Sequence, residues 1–332
     1  MQNKFSNLFT FRRKIIILIL LLIVLASLSI AVWAKNDYER ARQESLRHIE
    51  ESGGQLPSNE EIEFNAPEEA DLDYMNVLLI GIDDDEDIAR TDTIMIAQYH
   101  PEKGTAKLVS LMRDMYVTIP GHGQNKINAA FSFGGLELLR QTIKENFDVD
   151  VHYYAQVDFN GFERIVDTLA PEGIEIDVER RMYYETRSLV IDFQPGLQTM
   201  SGDEALKYVR FRSDFENDFG RVRRQQQVLD SLSGELLSIS GVRRIPQLLG
   251  SIEPYIQTNI DTSKMISYGR SFVLNPVDDI ETITIPLSDA YYDETFSHAG
   301  AVLMLDWDRN KEALHEFLGT ELMDDNNSTF ED

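Results

Sequence analysis

From Ile15 to Ala34 the chain runs twenty residues without a charge, opening IIILILLLIVL. As a helix rising about 1.5 Å per residue, such a run spans the roughly 30 Å hydrocarbon core of a bilayer. It is expected to be a transmembrane anchor, and everything else about the chain must be compatible with one. Ahead of it Lys4, Arg12, Arg13 and Lys14 carry positive charge and no acid offsets them, which predicts a cytoplasmic N-terminus and an extracellular remainder. Lys35, Arg40, Arg42 and Arg47 follow the span and oppose that bias in part. A cleavable secretory signal usually carries an apolar stretch of only about 7–15 residues. An uncleaved, single-pass anchor in the cell membrane is therefore expected, even though Val32, Trp33 and Ala34 end on a small residue.

The expected organisation is a cytoplasmic tail (1–14), the anchor (15–34), a polar stem and acidic linker (35–75), one extracellular domain (76–318) and an acidic tail (319–332). The linker rests on composition: Glu50 to Asp73 holds nine acids, no base and two prolines, the signature of an extended, self-repelling spacer. Across 332 residues, 57 Asp and Glu against 31 Lys and Arg give a net charge of −26, which disfavours nucleic acid as a partner. With no cysteine, disulfides, thiolate metal sites and thiol nucleophiles are excluded, so any chemistry must use oxygen and nitrogen groups.

Within the domain, Asn76–Ile82 (NVLLIGI) reads as a strand buried on both faces. Thr93–Tyr99, Ala106–Met112, Val151–Val157 and Ile174–Val178 read as further strands, and Thr282–Pro286 as a late one returning to the sheet. Helical spacing marks Asn128–Phe147, Phe159–Leu169, Gly202–Val209, Arg221–Ile239, Val242–Ile256 and Ser263–Leu274. Strands separated by helices, with no repeat and no second linker, predict a single α/β domain with a mixed central sheet between helices.

Directly after the first strand, Asp83, Asp84, Asp85, Glu86, Asp87 and Asp92 fall within ten positions. Carboxylates at a strand's C-terminal end suit a hard cation such as Mg²⁺, which prefers oxygen ligands and shares them with phosphates. A calcium loop does not fit, because the sixth position counted from Asp83 is Ile88 rather than glycine. A solvated acidic loop would explain the cluster taken alone. The arginines add a second signal: Arg90 and Arg113 closely follow strand ends, and Arg210, Arg212, Arg221, Arg223 and Arg224 fall within fifteen residues. Guanidinium groups bind phosphate bidentately with a charge that does not titrate away. Asp218 reads as a helix N-cap that sets Arg221 and Gln225 on one face, four apart. Arg210 and Arg212 converge only where the chain leaves the helix. No P-loop, nucleophile elbow or zinc-protease motif occurs, and the six histidines show no ligand spacing.

In order along the chain, NVLLIGIDD, RTDTIMIA, VSLMRDMYVTIPG, KINAAFSFGG, HYYAQVDFNGFERIVDTL and GDEALKYVRFRSDFENDFGRVRRQQQVL resemble the LytR-CpsA-Psr family of bacterial cell-envelope phosphotransferases. The likeness is close from Asn76 to Leu229 and looser to about Leu318. It implies an αβα domain whose long apolar groove takes a polyprenyl-pyrophosphate-linked glycopolymer. Such a domain transfers the phosphoglycosyl unit, from teichoic acid, capsule or a similar polymer, to peptidoglycan. It implies Asp83 and Asp92 as the magnesium-associated aspartates, Asp92 also counting with Arg113, Arg210, Arg212 and Arg221 among the catalytic residues. Arg90, Lys126, Asn128, Asp218 and Gln225 are implied in substrate binding. The chain departs from the family pattern in its short, very acidic segment between Asp83 and Arg90, in MRD for PRD, and in APEG before the valine-rich strand. A polyprenyl-pyrophosphate phosphatase using water as acceptor, or a non-catalytic scaffold or regulator, are the alternatives.

Overall fold

The computed structural model describes residues 29–51, 62–67, 73–83, 90–186, 189–211 and 217–320. A helix over 29–51 (α1) comes first. It is followed by β1 (Met75–Asp83), β2 (Arg90–His100), β3 (Thr105–Leu111), the hairpin β4 (Tyr116–Ile119) and β5 (Gly123–Lys126), α2 (Ile127–Phe147), β6 (Tyr153–Val157) and α3 (Phe159–Leu169). Next come β7 (Ile174–Val178), β8 (Met182–Glu185), β9 (Val190–Phe193), β10 (Gly196–Met200), α4 (Gly202–Arg210), α5 (Asn217–Leu237) and α6 (Ile239–Ile252). The chain closes with β11 (Ile256–Thr258), α7 (Thr262–Leu274), β12 (Ile280–Ile285), the hairpin β13 (Tyr291–Phe296) and β14 (Gly300–Leu305), and α8 (Trp307–Leu318).

Six strands form the central sheet in the order β11-β6-β1-β2-β3-β12. β1 and β6 are parallel, as are β3 and β12, while β1/β2, β2/β3 and β6/β11 are antiparallel. The sheet is thus mixed, and the late strand does return to it, beside β3. Ile174–Val178 does not join: β7 pairs with β10 in a separate two-stranded sheet over a second cluster that includes Val166, Tyr208 and Val228.

Strand alternation separates the two faces of the sheet. Leu78, Ile80 and Ile82 of β1, Ile94 and Ile96 of β2, Val109 and Leu111 of β3 and Ile285 of β12 face α2 and α8. There they pack on Leu136, Leu139, Ile143, Phe147, Leu314 and Leu318. The opposite face is less closed, since Leu79, Gly81, Ala97, Ala155 and Val157 are only half-buried. NVLLIGI is therefore closed toward α2 and α8, while toward α5 and α7 Val77 is buried and Leu79 and Gly81 are half-buried. The open face lies under α5 and α7. Among α7's residues none is fully buried, yet Tyr268 and Phe272 stand 6.3 and 6.4 Å from the Tyr99 ring of β2.

Helix ends follow local chemistry. Ser201 and Glu204 form a reciprocal capping box on α4, and Asp158 caps α3 through the Gly161 amide. Helix α2 is kinked at Gly134 and Gly135, the latter at φ 64°, a left-handed conformation that glycine adopts without Cβ strain.

Residues 15–28 of the expected anchor lie outside the described residues, and among the described residues no helix is long and apolar enough to cross a membrane. Its last residues enter α1, which packs on the domain. Ala41, Ser45 and Ile49 are buried, the Ser45 hydroxyl donates to the Ser251 carbonyl at 2.8 Å, and Arg42 pairs with Glu253. A Cβ at Gly250 would collide with the Tyr38 carbonyl, so glycine permits the close approach of α6 to α1. Phe64, from the stretch expected to act only as a spacer, packs on Tyr154 at 5.0 Å and lies beneath Arg140.

Candidate active site

The C-terminal edge of the parallel strands gathers most of the singled-out residues. Asp83, the last residue of β1, stands opposite Arg90, the first of β2. Two pairs further in, Ile82 is opposite Thr91 and Gly81 opposite Thr93, so Asp92 is the extra residue of a β-bulge. Bulges turn a side chain out of the regular ladder and recur beside active sites. Two neighbours hold this one. The Thr91 hydroxyl donates to the Thr93 carbonyl at 3.1 Å, and Gln225 Nε2 donates to Thr93 Oγ1 at 2.9 Å. Gln225 thereby ties α5 to β2 at the bulge. One turn earlier on the same helical face sits Arg221, only 3% exposed.

The next strand supplies a second group at the same edge. β3 ends at Leu111 opposite Ile94, so Arg113 emerges beside the start of β2. Asp114 joins two of the expected cations: its Oδ2 is 3.4 Å from Arg113 Nε and its Oδ1 is 2.7 Å from Lys126 Nζ. Asn128 enters this corner by its backbone, whose N–H donates to the Arg113 carbonyl at 3.3 Å.

A third contribution comes from α4. Its helix stops at Arg210, and Phe211 takes an extended conformation (φ −62°, ψ 128°), so the chain leaves the helix where convergence requires it. The Arg210 guanidinium lies 4.1 Å over the ring of Phe159. That ring follows β6, whose Val157 is opposite Gly81, so Arg210 reaches the same edge. Arg212 lies outside the described residues. Asp218 is not the N-cap: α5 already begins at Asn217, which places Asp218 inside the first turn, where an acid still complements the helix dipole.

Two residues absent from the expected set matter here. Asp114 was legible as the acid following Arg113 but carried no spacing signal. Arg224 is 1% exposed, donates to the Phe211 carbonyl at 2.6 Å and lies 5.4 Å from that ring, so it braces the residue between Arg210 and Arg212. Burial, reinforced by the charge of Arg224, lowers the Arg223 pKa, although Arg223 also pairs with Glu179. Arg113, Lys126, Arg210, Arg221 and Arg224 thus gather toward the edge that carries Asp83, Asp92 and Asp114.

Asp83 and Asp92 sit on adjacent strands at this end, and a pair of carboxylates is a donor set suited to Mg²⁺. The other acids of the run after Asp83, residues 84–87, lie outside the described residues; elsewhere among the described residues no group of three or more metal-ligating side chains gathers. Two histidines serve packing: His315 Nε2 is 2.8 Å from the Phe147 carbonyl, and the Asn76 amide donates to His152 Nδ1 at 3.0 Å.

The chain is similar to known proteins. The chain is 39% identical over 257 residues to the regulatory protein MsrR of Staphylococcus aureus, covering 77% of each. It is 32% identical over 201 residues to the polyisoprenyl-teichoic acid–peptidoglycan teichoic acid transferase TagU of Oceanobacillus iheyensis, 58% of this chain and 61% of that one. The structure of YwtF (TagT) of Bacillus subtilis with bound octaprenyl pyrophosphate lipid superposes with a TM-score of 0.54 at 26% identity, over 80% of this chain and 98% of that one. The LytR_cpsA_psr family model matches residues 32–313, nearly the whole described structure, and the chain belongs to the LytR-CpsA-Psr family.

Proposed function

We propose that the protein transfers a phosphoglycosyl polymer, teichoic acid, capsule or a similar chain, from a polyprenyl-pyrophosphate carrier to a hydroxyl of peptidoglycan. The observation that carries this reading is Arg221. A guanidinium 3% exposed, one turn from the glutamine bonded to the Asp92 bulge, is a charge already removed from water at the edge where β1 and β2 present aspartates. Such a preorganised cation suits a diphosphate, whose transfer needs positioning and charge neutralisation more than covalent help. The acceptor oxygen forms a bond to the sugar-linked phosphorus, the bond from that phosphorus to the bridging oxygen breaks, and polyprenyl phosphate leaves with the electron pair. The acceptor's proton passes to a carboxylate of the site or to water. Arg113, Arg210, Arg212 and Arg221 are assigned to the diphosphate, with Arg90, Lys126, Asn128, Asp218 and Gln225 lining its approach. Asp83 and Asp92 would hold Mg²⁺, which supplies charge neutralisation when bound.

The relatives support this reading, since one is named a teichoic acid transferase and another binds a polyprenyl pyrophosphate. A single-pass anchor with the N-terminus in the cytoplasm would set the site outside the cell, close to both substrates. A cysteine replacing Asp37 should then react with an impermeant thiol reagent in intact cells, and labelling only after lysis would refute that orientation. The activity itself is tested with the full chain in detergent, a defined lipid-linked donor and a peptidoglycan oligomer. Ligated product that requires Mg²⁺ and disappears in Asp92→Asn is expected. Release of free polymer alone would make the protein a phosphatase, and donor binding without turnover would make it a scaffold.

A further inference from the structure

An aromatic pair stands on the surface beyond the Asp114 corner. His122, in the turn of the β4–β5 hairpin, stacks on Phe133 with ring centroids 5.0 Å apart and planes 20° from parallel. Both are exposed, and Phe133 remains 47% accessible. The kink at Gly134 and Gly135 ends the first part of α2 directly after Phe133. No atom lies within 4 Å of the Cβ positions that Gly121, Gly123 and Gly135 would have, so the surface around the pair is open. The hairpin joins the pair to the candidate site. Three residues of strand, roughly 10 Å, separate Gly123 from Lys126, whose ammonium is bonded to Asp114. The surrounding charge is equally distinct. Acids occur roughly every six residues in the chain, yet none falls between Asp114 and Glu137, a stretch that carries Lys126.

We propose that the His122–Phe133 pair is a subsite for a neutral sugar ring of the acceptor glycan. This rests on the transferase reading above and deepens it. An aromatic face binds the apolar C–H face of a pyranose. The flanking Gln124 is exposed, so its amide can meet hydroxyl groups. A lipid surface is disfavoured by placement: α1, which leads toward the expected anchor, docks on α6, and α6 lies on the opposite side of the sheet from α2.

The test uses the full chain in detergent with a β-1,4-linked N-acetylglucosamine tetramer as probe. Binding is followed by ligand-observed NMR, and the acceptor KM is measured in the transfer assay. Phe133→Ala should weaken tetramer binding and raise the acceptor KM by about five- to tenfold, the loss of one aromatic stack, while Phe133→Tyr restores both. Tetramer affinity and acceptor KM unchanged in Phe133→Ala would overturn the subsite, as would an aromatic pair that binds phosphatidylglycerol vesicles and not the tetramer. Should the parent protein bind the tetramer through Phe133 and yet form no ligated product, the subsite stands and the transferase reading falls.

Discussion

The two faces of the central sheet are built from the same strands and behave as different materials. Toward α2 and α8, Leu78, Ile80, Ile82, Ile94, Ile96, Val109, Leu111 and Ile285 are only 0–5% exposed. Toward α5 and α7, the alternate positions still bury Val77, Met95, Leu108 and Tyr153 but leave Leu79, Gly81, Ala97, Ala155 and Val157 half-buried, beneath a helix that buries none of its own residues fully. The closed face supplies cohesion, because close packing leaves no room for another molecule. The open face forgoes some of that burial and keeps apolar surface within reach of a polyprenyl chain. Stability and binding are therefore expected to separate by face.

The sharpest test of that separation is Leu139→Ala, at a fully buried position of α2. It should cost about 2–5 kcal/mol in urea unfolding of the domain, from lost burial and the cavity left behind. A cost below about 1 kcal/mol would mean that the closed face is not the cohesive one. At the edge where the faces meet, Arg221→Lys keeps the charge and loses the bidentate fork. Single-turnover transfer at saturating donor should fall by about a hundredfold, the scale of one lost transition-state donor, with donor affinity changed far less. An unchanged rate would reduce Arg221 to a binding residue.

On the open face, Phe272→Ala should cost less than about 1.5 kcal/mol in stability while weakening octaprenyl pyrophosphate binding about tenfold. The reverse pattern would place the lipid elsewhere. The smallest effect concerns acid. Burial of Glu137 opposes its ionisation, but bonds from Arg140, the Asn65 amide and Gln141 prevail and hold its pKa below the ordinary value. A folded-state pKa below the unfolded one makes unfolding take up a proton. The stabilisation is thus complete above the unfolded value, near 4.5, and is lost as pH falls through the folded one. The gap in urea midpoint between the parent and Glu137→Gln should therefore narrow progressively below that pH; a constant gap would show that the carboxylate's charge is irrelevant.

Much of the sheet was legible because local pattern carries it. β1, β2, β3 and β6 follow apolar runs, and α3 coincides end to end with its expected range because Asp158 caps it. The two-stranded hairpins were not legible. β4–β5 and β13–β14 are short, turn-rich and held by contacts distant in sequence, such as the Leu303 amide donating to the Asp114 carbonyl at 2.9 Å. The docking of α1 was missed for a related reason: a polar helix reads as solvated, and its partner surface on α6 lies some two hundred residues away.

Sequence by itself determined the order of aspartates and arginines, the six segments that mark the family, and the apolar runs that become the strands. These are local or ordinal properties, which one dimension can hold. Tertiary structure alone decided which side of the sheet closes, that Asp92 is the residue expelled into a bulge, that Asp114 joins Arg113 to Lys126, and that Arg224 braces Phe211. Each depends on register and on the approach of segments far apart in the chain. Pairing free energy is realised only after the loops between them have closed, and residue spacing carries no record of that closure.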